Sequence, residues 1–128
     1  MDLTKATVIV KDKIINLDID RLNISDYNKR YLKHYQQNLN FYLDAYSQLL
    51  LKATSNLDIP VNKAVFLDYG GGSGLLSYLA AALGFNKVVY NDLYEISVND
   101  VKVISQNLQL NIDEFINKIM TLYNQIIN

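Results

Sequence analysis

From Tyr27 onward, apolar side chains recur at Tyr27, Tyr31, Tyr35, Leu39, Leu43, Tyr46 and Leu50. Steps of mostly four residues put them on one face of a helix. That helix is predicted to run to about Ala53, with Ser25 or Asp26 as its N-cap. Upstream, residues 7–19 ("TVIVKDKIINLDI") hold two β-branched stretches around Lys11, Asp12 and Lys13, the pattern of a small hairpin. Residues 54–62 carry the chain's one proline, Pro60, and read as a linker.

The second half changes period. Ala64 to Leu67 is a short apolar run stopped by glycines, which fits a buried strand. Ser73 to Leu83 is apolar and alanine-rich, and Gly84 then supplies a helix stop. Lys87 to Tyr90 predicts a second strand, with Asp92 just past it. Ser97 and Asp100 look like a capping pair for a helix through about Leu108. Asn111 and Glu114 repeat that signal ahead of a last helix with Ile112, Phe115, Ile116, Ile119, Met120, Tyr123, Ile126 and Ile127 on one face. The expected class is therefore α/β: a Rossmann-like βαβ unit with a right-handed crossover, preceded by a helical segment. Residues 1–60 are expected to form an N-terminal hairpin and helical cap, and residues 61–128 a partial Rossmann-like domain. Only two strands are predicted. A parallel pair is normally buried on both faces of a larger sheet, so either the N-terminal segment and a second chain complete the core or, the favoured reading, the unit is the front part of a longer protein.

Composition narrows the chemistry. The chain has 128 residues, 50% of them hydrophobic and 20% charged, with a net charge of −1. Such a balance gives no broad basic field for nucleic acid or anionic membrane. With no cysteine there is no disulfide and no thiolate metal site. His34 is the one histidine, so a histidine metal centre or a Ser-His catalytic pair would rest on it alone; no metal site is expected. No apolar run approaches the roughly 20 residues of a membrane-spanning helix, and the N-terminus lacks a signal-peptide core. A cytoplasmic location is the expectation.

The chemistry concentrates in "FLDYGGGSG", residues 66–74, which holds four of the five glycines. A glycine turn between a strand and a helix aims free N–H groups at a ligand and lets it approach the backbone. The dinucleotide pattern can be laid on Gly72, Gly74 and Ser77. However, Asp68 at the strand end would repel a pyrophosphate. The P-loop pattern fails, because no Lys-Ser or Lys-Thr follows the glycines. A ligand bearing an amino group or a sulfonium suits Asp68 better than a phosphate, which disfavours nicotinamide and flavin dinucleotides.

"VFLDYGGGSG" resembles motif I of class I S-adenosylmethionine-dependent methyltransferases, matching at Asp68, Gly70, Gly72 and Gly74. "VVYND", residues 88–92, is similar to that family's second strand, which ends in an acid. The gap from Gly70 to Asp92 matches the about 20 residues between loop and ribose-binding acid in dinucleotide folds. The resemblance covers about residues 61–110, and the helix predicted over 26–53 resembles by position the N-terminal helical cap of many such enzymes. It implies S-adenosylmethionine as cofactor and S-adenosylhomocysteine as product. It implies cofactor contacts from Asp68, Gly70, Gly71, Gly72, Ser73, Gly74, Asp92 and Leu93. Asp92 would accept from the ribose hydroxyls. Asp68 would act on the amino group, or hydrogen-bond loop amides instead. Leu93 and Tyr94 would flank the adenine or simply pack. The tyrosines at 27, 31, 35, 42 and 46 would either roof the pocket or form a packing face.

No catalytic residue is predicted, and the methyl acceptor is unassigned. The family's later strands, which usually carry substrate groups, have no recognisable equivalent, so activity of this chain alone is an open expectation. Two function classes remain. One is the cofactor-binding part of a methyltransferase. The other is a non-catalytic nucleotide-binding or protein-interaction module that forms a homo-oligomer through its apolar helices.

Overall fold

The computed structural model describes residues 2–118. Its first element is a helix, α1 (Leu3–Ile15), where a hairpin was expected. The β-branched residues misled because the burial period is four, not two. Ala6, Val10 and Ile14 have no solvent exposure, while Val8 and Ile15 face out. Asp2 caps the helix by accepting from Lys5 N at 2.8 Å. Burial of the Ala6–Val10–Ile14 stripe against later helices outweighs the β preference of isolated valines and isoleucines. A 3₁₀ turn, Ile19–Arg21, follows.

The long tyrosine helix is two helices, α2 (Asp26–Gln37) and α3 (Leu39–Ser55), hinged at Asn38. Asn38 leaves the helical region at φ −126° and ψ 33°. Its backbone N–H still bonds the His34 and Tyr35 carbonyls at 3.1 and 3.2 Å. Its side-chain amide also donates to the His34 carbonyl at 3.0 Å. This self-capping by an asparagine is the local competition that makes the residue a helix end. The break lets α2 and α3 point their buried leucines, Leu32 on one and Leu39, Leu43 and Leu50 on the other, into one core.

After Pro60 and a short 3₁₀ turn at Val61–Lys63, the α/β half begins. Strand β1 (Val65–Tyr69) leads into α4 (Leu75–Leu83), and β2 (Lys87–Asn91) leads into α5 (Glu95–Leu108). Gly84 stops α4 in the left-handed region at φ 96°, as expected. A third strand, β3 (Glu114–Ile116), then pairs parallel to β2, so the sheet order is β1-β2-β3.

That third strand corrects the two-strand expectation and the proposed last helix from Asn111. Asn111 does not cap a helix; its amide donates to Asp113 Oδ1 at 2.9 Å. Glu114 pairs with Lys87 across the sheet at 2.9 Å. Asp113 anchors the strand entry, accepting from Val88 N at 2.7 Å and donating its own N–H to the Val88 carbonyl. The expected helical face at Ile119, Met120, Tyr123, Ile126 and Ile127 lies outside the described residues.

Tyr90 and Phe115 are register partners whose rings meet at 6.0 Å, and Lys102 of α5 lies over Phe115. Phe66 meets Phe85, just past α4, at 5.2 Å. Helices α4 and α5 therefore cover the same sheet face, as two right-handed crossovers toward one edge require. Helix α1 packs on the outside of α4, and α3 reaches α4 as well. On the opposite sheet face, Val65 and Leu67 are exposed among the described residues. The carboxyl ends of β1 and β2 open beneath α2, and that is where the candidate site lies.

Candidate functional site

The loop after β1 is tied down at both ends. Gly70 N and Gly71 N both donate to the Asn91 carbonyl, at 2.9 and 3.0 Å. The Tyr78 hydroxyl donates to the Ser73 carbonyl at 2.6 Å, and the Tyr90 hydroxyl bonds the Gly72 carbonyl. Both tyrosines are fully buried, so two rigid rings hold the loop from below. Gly72 adopts φ +57°, and a Cβ built on it would meet only open space. The backbone at this point is bare on the side from which a ligand would approach.

Asp92 links the loop to the next strand. It is only 6% exposed. Its Oδ2 accepts from Gly72 N at 2.9 Å and its Oδ1 from Tyr94 N at 2.8 Å. Each carboxylate oxygen keeps a second lone pair, so the group can still accept from a vicinal diol. Asp68 is 5% exposed and sits lower. It accepts from Ser77 Oγ at 2.7 Å. Burial raises its pKa above the usual carboxylate range, partly offset by the Ser77 bonds.

A cavity of about 220 Å³ lies over the loop, lined by Tyr27, Asn28, Tyr31, Tyr35, Gly72, Ser73, Asp92, Tyr94 and Ser97. Pockets that enclose a drug-sized ligand run about 300–1,000 Å³, so an occupant of that size extends past its rim. Of the residues expected from sequence, Gly72, Ser73 and Asp92 line it. Gly70, Gly71 and Gly74 shape the loop without lining the cavity, Asp68 lies beneath, and Leu93 is exposed. Tyr27, Tyr31 and Tyr35 do form a roof. Tyr42 instead packs edge-on against Tyr35 at 4.7 Å and against His34 at 5.5 Å. Burial pushes the Tyr35 phenol up to about 12, and Tyr46, shifted upward by burial and then by the Asp68 charge, lies beside it.

The residue that sequence reasoning missed is Asn28. It is 1% exposed at the first turn of α2. Its amide donates to Asp100 Oδ2 at 2.7 Å and to Ser97 Oγ at 3.5 Å, and its Oδ1 accepts from Ser73 Oγ at 3.3 Å. One side chain thus joins the roof helix, the glycine loop and α5. Asp100 also accepts from Ser25 N at 3.1 Å and from the Ser25 hydroxyl. The Ser97–Asp100 pair was expected to cap α5. Helix α5 in fact starts at Glu95, and the Asp100 carboxylate sits at the N-terminus of α2, where the helix dipole favours an anion. The polar residues in "ISDYN" were the available signal, but their partners lie about 70 residues away, at |i−j| of 69 to 75.

A parallel sheet, a glycine loop and an acid at the next strand end describe many nucleoside sites. The family comparison narrows them. The model described as ribosomal protein L11 methyltransferase (PrmA) matches residues 43–127. No curated protein and no solved structure gives a match. The matched span starts in α3 and includes the glycine loop, Asp92 and all three strands, about two thirds of the chain. The chain belongs to the ribosomal protein L11 methyltransferase family, within the class I S-adenosylmethionine-dependent methyltransferases.

Proposed function

We propose that this chain carries the S-adenosylmethionine-binding part of a methyltransferase, and that the cofactor's nucleoside sits between the glycine loop and the tyrosine roof. The observation that carries this is Asp92: a buried carboxylate fixed by Gly72 N and Tyr94 N at the edge of the cavity. That is the pair of acceptor oxygens a ribose diol requires, held in place by two backbone N–H groups. The bare backbone at Gly72 fits the same group, since a Cβ there would project into the approach path.

When bound, the cofactor supplies a methyl group already activated by its sulfonium. The chain's own residues then hold and orient. Asp92 accepts from the ribose hydroxyls. Gly72 and Ser73 lie against the cofactor's chain. Asp68 places negative charge beneath the loop, which favours an ammonium above it. Tyr35, Tyr31 and Tyr27 exclude water from the roof side. With its pKa near 12, the Tyr35 phenol stays protonated at neutral pH, so it orients rather than acting as a base. The family's description names a ribosomal protein, and we take a protein segment as the acceptor class for this chain.

The test is thermal stabilisation of the full chain by S-adenosylmethionine, S-adenosylhomocysteine and NAD. A site-specific ligand at a hundred times its dissociation constant adds about 2.7 kcal/mol. Stabilisation by the first two, lost in Asp92→Asn, is the expected result. A folded chain that responds to none of the three, or to NAD alone, would refute the assignment.

A further inference from the structure

Beside the cofactor cavity, α2 carries a second and more open groove of about 330 Å³, lined by Tyr27, Arg30, Tyr31 and His34. Tyr27 and Tyr31 line both spaces, so this ring pair is the wall between them. The rings meet edge to face at 4.9 Å and are 47% and 44% exposed. The Tyr27 hydroxyl donates toward Tyr31, which raises the Tyr27 pKa. Two half-exposed rings packed edge to face present an angled apolar surface with little rotamer freedom left to lose on binding.

The groove's charge is one-sided. Four basic or imidazole side chains lie on α2: Lys29, Arg30, Lys33 and His34. Two of them are engaged elsewhere. Lys33 pairs with Asp20 at 2.6 Å, and the Lys29 ammonium donates to the Asp20 carbonyl at 3.1 Å. His34 contacts the Asn38 amide and the Tyr42 ring. Arg30 has no ion pair and no hydrogen bond among the described residues, although Asp26 stands one turn before it. An unpaired guanidinium beside exposed phenol faces is suited to a carboxylate on a segment that stacks there.

We propose that this groove holds the segment of the acceptor protein next to its methylated residue, and that Arg30 recognises a carboxylate side chain on that segment. The inference rests on the methyltransferase reading, because it is the shared Tyr27–Tyr31 wall that brings a segment bound here to the rim of the cofactor cavity. The groove is a face of a single helix, open along its length, which suits an extended peptide better than an enclosed small molecule. Arg30 fixes the segment's position. No base is assigned to the groove.

The experiment titrates the full chain with short capped peptides and follows the Tyr27, Tyr31 and Arg30 side-chain resonances. One peptide has a central lysine flanked by two glutamates; a second has glutamines in their place; a third has phosphoserines. The glutamate peptide is expected to shift all three sets of resonances. Its affinity is expected to fall by about tenfold in Arg30→Gln and to be partly kept in Arg30→Lys, with the thermal midpoint unchanged because Arg30 is exposed. Equal binding of the glutamine peptide, or no change in Arg30→Gln, overturns the proposal. Binding of the phosphopeptide alone overturns it in favour of a phosphate site. A parallel titration with S-adenosylhomocysteine separates the two readings: failure there with peptide binding intact removes the cofactor assignment and leaves the acidic-peptide site standing.

Discussion

Gly70 and Gly71 are adjacent, and substituting each should fail for a different reason. At Gly70 the backbone has φ +70° and a Cβ would meet nothing within 4 Å. The cost of Gly70→Ala is therefore conformational, about 1–2 kcal/mol for an L residue in the left-handed region. Gly71 has no positive φ. A Cβ there would lie 2.6 Å from Tyr90 Cδ2, closer still to Cε2, and 2.8 Å from Asp68 Oδ2. The Tyr90 ring has no exposed edge and is held at its hydroxyl by the Gly72 carbonyl, so it cannot swing aside. Gly71→Ala is therefore an overpacking substitution, expected at the upper end of the usual range, about 3 kcal/mol.

Asparagine separates the two costs. It tolerates the left-handed region better than alanine does, so Gly70→Asn should recover part of the loss seen in Gly70→Ala. At Gly71 the larger side chain brings only more contact, so Gly71→Asn should be the worst of the four. The chain has ten tyrosines and no tryptophan; urea unfolding followed by tyrosine fluorescence and circular dichroism gives the order directly. A second check is the coupling between Gly71→Ala and Tyr90→Leu. Removing the ring removes the collision, so the double variant should be more stable than the sum of the single losses predicts. Strict additivity, or Gly71→Ala milder than Gly70→Ala, would show that the loop is not held against Tyr90 as described.

Three further outcomes follow from the same contacts. Burial raises the folded-state pKa of Asp68, so its contribution to stability is full below the ordinary carboxylate range and is lost as pH rises through the raised value; wild type should lose stability relative to Asp68→Asn over that window in urea melts, and a gain with pH would contradict the burial argument. Asn28→Ala should cost about 1–3 kcal/mol by leaving Asp100 and Ser73 short of a partner, whereas Asn28→Asp sets a second carboxylate against Asp100 and should cost more at neutral than at acid pH. In α1, Val10→Ala should destabilise measurably, because Val10 is buried, and Val8→Ala should not, because Val8 is exposed; equal effects at the two positions would restore the hairpin.

The α/β half was legible because its signals are local. A β-branched run, a glycine cluster, an alanine-rich stretch and a second run must be read in that order whatever packs on them, and Gly84 and Asp92 fall at the ends of elements where their chemistry puts them. The errors share one cause. Residues 7–19 have strand-forming side chains, yet Ala6, Val10 and Ile14 find a helical partner surface in α3 and α4 that no local window contains. Strand β3 is three residues long, and its apolar spacing fits a helix equally well until Val88 and Asp113 exchange backbone and side-chain bonds.

Asp100 sharpens the point, because there the local rule was right about chemistry and wrong about address. Ser-x-x-Asp does mark a capping arrangement: a buried carboxylate at a helix N-terminus with a serine beside it. The helix it serves is α2, not its own, and the serine that matters is Ser25. This long-range cap within the chain carries a consequence for function. The roof of the cavity over the glycine loop is fastened to α5 through the first turn of α2, and the same turn carries Tyr27 and leads directly to Arg30 and Tyr31. A change at the Asp100–Asn28 contact therefore moves both the wall of that cavity and the groove beyond it. Substitutions there should alter S-adenosylhomocysteine and acidic-peptide affinities together, whereas Arg30 substitutions should alter the peptide alone.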